Sequence, residues 1–589
     1  MQSNAQKPRP WWQTAVFYQI YPRSFADGNG DGTGDLAGMI DHLDYLQDLG
    51  VDAIWLSPHY PSPMFDCGYD VADYTAVAAE YGTLDDFKRF LEGVHQRGMY
   101  LILDLVLNHT SHQHAWFVES RASKSNPKRD WYVWRAGKNG APPNNWLSTF
   151  GGPAWEFDPT TGEYYYHFFF KEQPDLNWRN PAVKQAMFEA IRFWLDLGVD
   201  GFRLDAISTL FEDPDLQDNQ SPYTQADLYR LGQQAKIEQD QARIITAFRS
   251  MLGRQYDQPG IHELMRELRQ LCDSYEDRVL VGETEEISYY GDGTNELHLV
   301  FNFPLMETRR LTPTWVINNQ RERLATLPEA AWPCNTLGNH DSPRVYSRFA
   351  DGQHDDQNAR LALALLLSLR GTPFLYNGEE TGMRDYLFPD LERFKDRLSL
   401  WAYQMERQVM GASHEQAVIR AAEYGRDKCR TPLQWADAPN AGFSPADVEP
   451  WLPVNPDFSE GINVEAQRHD PGSLWNFYRT MLHLRKKLPA LMHGEFKLIG
   501  AKQNGDQQPD ILAFLRQSAQ PQQSCLVVMN FSDKPCGNPI LDMTPLAAEF
   551  KTSQARVLFA NTQHREDALN LSLFELAPFE ILILELQQA

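Results

Sequence analysis

The sequence predicts an α/β protein built on a (β/α)8 barrel of eight parallel strands. Several segments run from an apolar strand directly into polar or acidic residues, and helical segments separate them. Strands that are apolar on both faces are typical of a parallel sheet covered by helices, and functional groups at their carboxyl ends are typical of a barrel. We expect the barrel in 1–108 and 179–494, an inserted domain B in 109–178 after the third strand, and a C-terminal antiparallel β-sandwich domain in 495–589.

The segment 201–207, Gly-Phe-Arg-Leu-Asp-Ala-Ile, is the fourth predicted strand and the centre of the prediction. The apolar residues before it repeat at helical spacing between the start signal Asn180 and the stop signal Gly198. Side chains alternate along a strand, so Arg203 and Asp205 share one face. An acid next to a cation is a candidate nucleophile held ionised, although a structural ion pair at a strand end has the same pattern.

Three further segments have the same design, an apolar strand that runs into a functional residue. They are 101–109, 278–283 and 334–341, which end in Asn-His, Gly-Glu and His-Asp. Together with 201–207, and in this order, they resemble the four conserved regions of the α-amylase superfamily, glycoside hydrolase family 13. One such segment alone is a weak signal, but four ordered segments make the match specific.

The resemblance implies a catalytic trio. Asp205 would attack the anomeric carbon, Glu283 would protonate the departing oxygen, and Asp341 would hold ring hydroxyl groups of the distorted sugar. We expect Arg203 to keep Asp205 ionised, while Glu283 is protonated at rest. In a retaining glycosidase the two reacting carboxyl groups are about 5–5.5 Å apart.

The resemblance also implies a set of substrate-binding residues. Asp66 would hold hydroxyl groups of the non-reducing glucose, Tyr69 would stack beneath that sugar, and Arg430 would pair with Asp66. Phe150 and Phe169 of the insertion would also contact the substrate, although a role in the core of the insertion fits them equally well. The full set is Asp66, Tyr69, His109, Phe150, Phe169, Arg203, Ala206, His340 and Arg430.

The loop 27–35, Asp-Gly-Asn-Gly-Asp-Gly-Thr-Gly-Asp, predicts a cation site. Oxygen donors occur at every second position, and glycines let the backbone wrap around an ion. It is not an EF-hand, because its twelfth position is Gly38 rather than a glutamate. Oligo-1,6-glucosidase-like members carry a similar loop, which favours a structural calcium, or magnesium, over a metal-free turn. The predicted ligands are the side chains of Asp27, Asn29, Asp31 and Asp35 and the carbonyl of Thr33.

The remaining barrel strands are shorter apolar runs in chain order. The first, second, sixth and eighth are 15–22, 51–58, 297–303 and 371–380. The stretch 212–258 is longer than a typical strand-to-helix loop, and its scattered apolar residues predict a lid with helices. Alternating strands after 495 predict the C-terminal β domain.

The resembling subfamily suggests the substrate. The segment 173–177, Gln-Pro-Asp-Leu-Asn, is similar to a signature of oligo-1,6-glucosidases, which act on the ends of short substrates. The residue after the nucleophile is Ala206, and in relatives alanine there accompanies α-1,4 rather than α-1,6 preference. We therefore expect a retaining, exo-acting α-glucosidase that releases terminal α-1,4-linked glucose from short α-glucosides such as maltose.

Other functions remain open on the same site. Glucosyl transfer or isomerisation would use the same covalent intermediate, as in a sucrose hydrolase, a sucrose isomerase, a trehalose synthase or an oligo-1,6-glucosidase. A non-catalytic transporter ectodomain is disfavoured by the intact trio Asp205, Glu283 and Asp341. A starch-cutting endo-amylase is disfavoured by the 173–177 signature and by Asp66 with Arg430.

Composition limits the partners and the compartment. The net charge of −25 disfavours nucleic acid and anionic membranes and fits a neutral small-molecule α-glucoside. The six cysteines show neither a disulfide framework nor a zinc pattern, and the polar start 1–8 is unlike a signal peptide. We expect a cytoplasmic protein, either a monomer or a dimer.

Overall fold

The computed structural model contains a parallel sheet of eight strands that forms a nearly closed barrel. It describes residues 9–234, 238–503, 506–507, 509–519, 521–546, 549–562 and 565–588. Within these residues the barrel strands are Phe17–Ile20, Ala53–Leu56, Tyr100–Val106, Gly201–Asp205, Val279–Gly282, Leu299–Val300, Cys334–Thr336 and Thr372–Tyr376. The first strand pairs with the eighth, and every recorded pair is parallel. The predicted fold class is confirmed, and each strand is shorter than the apolar run that predicted it.

Helices cover the outside of this sheet. The helix Pro181–Leu197 shows how the sequence sets their limits, because the Asn180 side chain accepts from the Ala182 amide and Gly198 ends the helix in the left-handed region. The other helices of the barrel region are Trp11–Thr14, Pro22–Phe25, Leu36–Asp41, Leu43–Leu49, Leu84–Gln96, Ile261–Asp273, Phe303–Glu307, Pro313–Thr326, Val345–Arg348, Asp355–Ser368, Arg397–Met405, His414–Tyr424, Val464–His469, Leu474–Lys487 and Pro489–His493.

The chain between the third and fourth barrel strands forms a small separate layer. It contains the helix Ala115–Ala122 and a three-stranded antiparallel sheet of Trp134–Arg135, Glu163–Tyr166 and Trp155–Asp158. Its core is largely aromatic, with Trp146, Trp155 and Tyr166 buried together. The exact domain limits at 108, 178 and 494 stay predictions.

The long stretch after the fourth barrel strand supplies two helices, Gln225–Gln234 and Glu238–Leu252. It is joined to domain B rather than projecting into solvent. Gln255 donates to the Leu147 carbonyl at 3.0 Å and to the Tyr166 hydroxyl at 3.0 Å. Ile237, one of the scattered apolar residues of this stretch, lies outside the described residues.

The C-terminal domain is antiparallel. Its main sheet runs in the order Glu495–Ile499, Ile511–Ala519, Gln522–Asn530, Ile581–Gln588, Phe550–Ala560 and Ala568–Asn570. Short strands at Ala501–Gln503, Asp506–Gln507, Cys536–Gly537, Ile540–Leu541 and Glu575–Leu576 form its other pairs. Buried Arg516 fastens it to the barrel, donating to the carbonyls of Ser368 and Leu369 at 2.6 and 2.7 Å.

Among the described helices, none combines the length and apolar character needed to cross a bilayer. Residues 1–8, on which the signal-peptide argument rests, lie outside the described residues.

Candidate active site

One buried arginine joins three carboxyl groups at the carboxyl ends of adjacent barrel strands. Arg203 Nη1 donates to Asp104 Oδ1 at 2.7 Å and to Asp205 Oδ1 at 2.6 Å. Its Nη2 lies 2.7 Å from Glu283 Oε1. Strand alternation puts Arg203 and Asp205 on one face, and parallel pairing brings strands three and five alongside. Acids separated widely in sequence therefore meet around one guanidinium.

The residue after Asp205 orients the second acid. The Ala206 amide donates to Glu283 Oε2 at 2.9 Å. Ala206 has φ 43° and ψ 42°, in the left-handed region that residues with a Cβ seldom adopt. That conformation lets the backbone turn sharply at the strand end, with its amide facing Glu283. Both oxygens of Glu283 are thus held, one by Arg203 and one by the backbone.

The protonation of Asp205 depends on its burial as well as on Arg203. Burial raises its pKa well above the usual range, and the attraction of Arg203 only partly opposes this. Burial also raises the pKa of Asp104 to about 6. One arginine faces three carboxyl groups, including Glu283, so it cannot neutralise all of them. The cluster therefore favours keeping a proton among its carboxyl groups, because low-dielectric surroundings penalise each uncompensated charge.

Asp341 belongs to a second charged group beside the first. Arg430 is fully buried; its Nε donates to the His340 carbonyl at 2.9 Å, and its Nη2 contacts Asp341 Oδ1. The His340 ring lies parallel to the Tyr69 ring at 5.3 Å, with Nε2 at 2.7 Å from the Tyr69 hydroxyl. Tyr69 in turn donates to Asp104 Oδ2 at 3.0 Å. The hydroxyl of Tyr69 therefore links the two charged groups.

The pKa values of this second group differ from those of the first. Burial acts to raise the pKa of Asp341, but His340, Arg426 and Arg430 hold it well below its usual range. Burial lowers the pKa of His340 well below its usual range, so its ring is neutral near pH 7. A neutral ring donates through one nitrogen only. Asp341 is thus the permanently charged acid of the trio.

The arginine that binds Asp66 is Arg426, which sequence reasoning missed. Arg426 Nη2 donates to Asp66 Oδ1 at 2.7 Å and to Asp396 Oδ1 at 2.8 Å, and its Nη1 lies 3.5 Å from Asp341. The predicted pairing of Arg430 with Asp66 is wrong, because Arg430 contacts Asp341 instead. Arg426 stands only four positions before Arg430. Sequence spacing could have suggested it, but only the packed structure shows which arginine reaches which acid.

Domain B closes one side of this group. Buried Gln173 donates to Asp66 Oδ2 at 3.1 Å and lies 2.9 Å from His109 Nε2. The Phe169 ring meets the His109 ring edge-on at 5.0 Å. The Arg426 guanidinium lies 5.7 Å from the centre of the Phe150 ring. Both phenylalanines are half-buried, so they form part of the pocket wall as well as the core of the inserted layer.

The predicted cation loop carries the oxygen donors that calcium prefers, and in this structure its carboxylates accept from backbone amides. The Asp27 carboxylate accepts from the amides of Gly30 and Gly32, and Asp35 accepts from those of Asn29 and Gly38. In the described part of the chain, no three His, Cys, Asp or Glu side chains are grouped to hold an ion. The Asp27 and Asp35 carboxylates are thus hydrogen-bonded to backbone amides, as in a turn.

Comparison with known proteins decides the family. The profile of the Alpha-amylase family, described as "Alpha amylase, catalytic domain", matches residues 19–494. This chain belongs to the α-amylase family. It is therefore a glycoside hydrolase by family, which confirms the resemblance stated from its four segments.

Several relatives of this α-amylase-family member match along nearly their whole length. An oligo-1,6-glucosidase from Parageobacillus thermoglucosidasius is 40% identical, covering 97% of this chain and 98% of that protein. An α-glucosidase from Pediococcus pentosaceus is 39% identical, covering 83% of this chain and 87% of that protein. The crystal structure of an isomaltulose synthase mutant from Erwinia rhapontici NX5 with sucrose gives a TM-score of 0.83 at 36% identity, covering 99% and 100%.

Asp205→Asn tests the role of the carboxyl group, because asparagine has nearly the same shape as aspartate. We expect Asp205→Asn to lower kcat by more than roughly 10³-fold, because the amide cannot attack the sugar. The variant should not melt below the wild type. Since burial raises the folded pKa of Asp205, its ionised form costs stability as pH rises through that pKa, and asparagine lacks this cost. Product assays and melting curves at several pH values check both expectations. Retained turnover would remove Asp205 from the chemistry.

Replacing Arg426 tests the end of the pocket. Arg426→Lys keeps a charge but loses the planar fork that bridges Asp66 and Asp396. We expect kcat/KM for maltose to fall about 10- to 100-fold, chiefly through KM. The control is Arg97→Lys at an exposed ion pair with Asp44, which should behave as wild type. Equal kinetics for both variants would contradict the assignment.

Proposed function

We propose that the protein is a retaining, exo-acting α-glucosidase that releases terminal α-1,4-linked glucose from short α-glucosides such as maltose. The observation that carries the proposal is the pair of linked charged groups. Asp205 and Glu283 share the Arg203 guanidinium, while Asp66 and Asp341 share Arg426. The first group can perform glycoside chemistry, and the second can hold the hydroxyl groups of one terminal sugar.

The mechanism follows from the two neighbouring acids. Asp205 attacks the anomeric carbon as Glu283 gives its proton to the departing oxygen, which leaves a glucosyl ester on Asp205. Glu283, now ionised, then takes a proton from water, and the hydroxide displaces Asp205. Two inversions retain the α configuration. Both carboxyl groups contact one guanidinium, which supports the short spacing of a retaining enzyme, about 5–5.5 Å, over the 6.5–9.5 Å of an inverting one.

The chemistry needs one proton among the carboxyl groups around Arg203, and it needs that proton on Glu283. The excess of acids over arginines supports a retained proton. Sugar binding would exclude water and bring the glycosidic oxygen to Glu283. The Ala206 amide fixes the orientation of the Glu283 carboxyl group, so Glu283 need not change rotamer before it gives up its proton.

An exo-acting site needs a closed end. Asp66 and Gln173 are buried, Arg426 is half-buried, and Asp66 binds both of the others, so together they would block the space beyond the terminal sugar. A site whose charged, prearranged groups bind the hydroxyl groups of a substrate discriminates strongly against analogues that lack those hydroxyl groups. This supports release of single glucose units rather than cutting within long chains.

Glucosyl transfer or isomerisation is the second candidate. The observation that favours it is the likeness to the isomaltulose synthase solved with sucrose. The ester on Asp205 would be the same, and a sugar hydroxyl would replace water in the second step.

A time course of products by NMR tests the main proposal and separates the two candidates. Purified protein is given maltose, isomaltose, sucrose and trehalose separately. We expect α-glucose to appear first from maltose, with isomaltose cleaved slowly. Initial β-glucose in excess of the share that the reducing-end unit of maltose supplies would contradict retention. Accumulating isomers or longer glucosides would replace hydrolysis by transfer on the same residues.

Ala206 tests the linkage preference. We expect Ala206→Val to raise the isomaltose-to-maltose ratio of kcat/KM, because the larger side chain narrows the space beside Asp205. Overall activity should also fall, since a β-branched residue resists the left-handed backbone at this position. Ala206→Gly is the control, because it relieves that backbone without adding volume. If Ala206→Gly and Ala206→Val change the isomaltose-to-maltose ratio of kcat/KM in the same way, the size of the side chain does not set the linkage preference.

We also propose a structural calcium or magnesium ion in the 27–35 loop. Its support is the oxygen-rich ligand set, which would have to turn from backbone amides toward the ion. Chelation should then lower the melting temperature and leave the residues around Arg203 unaffected. Asp31→Ala should have the same effect, and adding calcium should not restore it. An unchanged melting temperature in both experiments would mean a metal-free turn.

We propose a cytoplasmic location and a neutral small-molecule partner. All six cysteines are buried, which suits a compartment that keeps thiols reduced. The charge of −25 supports the absence of nucleic-acid partners.

A further inference from the structure

A cavity of about 720 Å³ lies between the barrel and the C-terminal domain. On the barrel side it is bounded by the starts of the helices Pro313–Thr326 and Asp355–Ser368 and by the loops that precede them. The C-terminal domain supplies the opposite wall. The residues described along these walls include none of the acids and arginines of the candidate active site. The volume is in the range of small-molecule sites, so the cavity is a separate candidate binding site.

Aromatic rings from both domains line this cavity. Phe349 belongs to the barrel, and Phe531 and Phe579 belong to the C-terminal domain. Phe349 and Phe579 are buried, and Phe531 is half-buried. The Phe579 ring lies 5.0 Å from the ring of His354 across the domain boundary. The cavity therefore offers flat apolar faces that are held between two rigid units.

The backbone of Phe579 is held in an unfavourable conformation. Its φ of 52° lies in the left-handed region, which a bulky residue seldom adopts. The Phe579 amide donates to the Ser532 carbonyl at 3.1 Å, and the Asn561 side chain donates to the Phe579 carbonyl at 2.9 Å. Strain of this kind persists only where the surroundings fix it, and it is concentrated at binding sites. The C-terminal domain thus fixes one aromatic wall of the cavity at a cost in backbone strain.

Four charged side chains of the wall have no hydrogen-bond or ion-pair partner among the described residues. Arg309 and Arg310 lie on the barrel side, and Asp510 and Asp533 lie on the side of the C-terminal domain. The Asp351 carboxylate, by contrast, already accepts from two amides of its own loop at 2.8 and 2.6 Å. Two guanidinium groups and two carboxylates are therefore available to a ligand.

The balance of these four charges favours a neutral ligand with many hydroxyl groups. An anion would be repelled by Asp510 and Asp533, and a cation would be repelled by Arg309 and Arg310. Guanidinium groups only donate hydrogen bonds, and carboxylates only accept them. A hydroxyl group can do both, so a sugar can use all four side chains. The C–H faces of its rings can also pack on the phenylalanine rings.

We propose that this cavity binds a short neutral saccharide such as maltotriose, at a site separate from the catalytic pocket. The binding groups are the guanidinium groups of Arg309 and Arg310, the carboxylates of Asp510 and Asp533, and the rings that line the cavity. The site gives the C-terminal domain, which supplies none of the reacting acids, a role in holding sugar.

Ala350 allows the cavity to be filled from its rim. It is an exposed loop residue that lines the cavity. Ala350→Trp places a large ring in the cavity, whereas the matched control Ala350→Ser adds one oxygen atom. Each change is combined with Asp205→Asn, so that the added saccharide is not consumed. Isothermal titration calorimetry with maltotriose then gives the number of sites per chain.

We expect two maltotriose sites per chain in the Asp205→Asn protein, one in the catalytic pocket and one in the cavity. Addition of Ala350→Trp should leave one site, and addition of Ala350→Ser should leave two. Two sites in the presence of Ala350→Trp would overturn the proposal.

The remaining outcomes separate this proposal from the proposed function. A single site that Ala350→Trp removes supports the cavity and counts only against maltotriose as a ligand of the catalytic pocket. A single site that Ala350→Trp leaves intact overturns the cavity site, and so does the absence of any maltotriose binding. A parallel titration with inorganic phosphate tests the ligand class. Binding of phosphate but not of maltotriose in the cavity would overturn the assignment to a neutral saccharide.

A second variant removes the polar groups without filling the space. Arg310→Ala combined with Asp533→Ala changes two exposed side chains, so folding should be preserved. We expect maltotriose to bind the cavity roughly tenfold more weakly or less tightly still, while the catalytic pocket keeps its affinity. With Asp205 restored, maltose turnover should stay within about twofold of wild type. Unchanged affinity at both sites would overturn the proposal.

Discussion

The candidate site depends on a shortage of positive charge. Among the described residues, Arg203 pairs with Asp104, Asp205 and Glu283, and the side chains of Arg203, Asp104 and Asp205 are buried. Buried carboxyl groups need partners, so each of them is held at short distance by the guanidinium. The shortage that remains keeps a proton in the cluster, which acid catalysis requires. Rigid parallel strands make this arrangement possible, because they fix the acids before any substrate arrives.

The second charged group has the opposite balance. Asp341 faces both Arg426 and Arg430, and its pKa is held low in spite of burial. An acid that is always charged suits binding of hydroxyl groups rather than proton transfer. Tyr69, stacked on His340 and bonded to Asp104, joins the two groups. The barrel thus holds a reactive cluster and a binding cluster side by side, each tuned by its number of arginines.

Elements outside the barrel decide the shape of the pocket. Gln173 from domain B binds Asp66, and the helices between 225 and 252 fasten to the 147–152 loop of the same domain. These parts supply walls but not the reacting acids. Such a division is expected of a barrel enzyme, in which loops vary over a fixed frame.

The sequence by itself determined the eight-stranded barrel and its helix limits, because hydrophobic periodicity and capping residues such as Asn180 and Gly198 act locally. It also identified the acids, since each one ends an apolar strand. Only the tertiary structure decided that Arg426 rather than Arg430 binds Asp66, and that burial outweighs Arg203 at Asp205. Those outcomes depend on distances and desolvation between residues far apart in the chain, which no local pattern encodes.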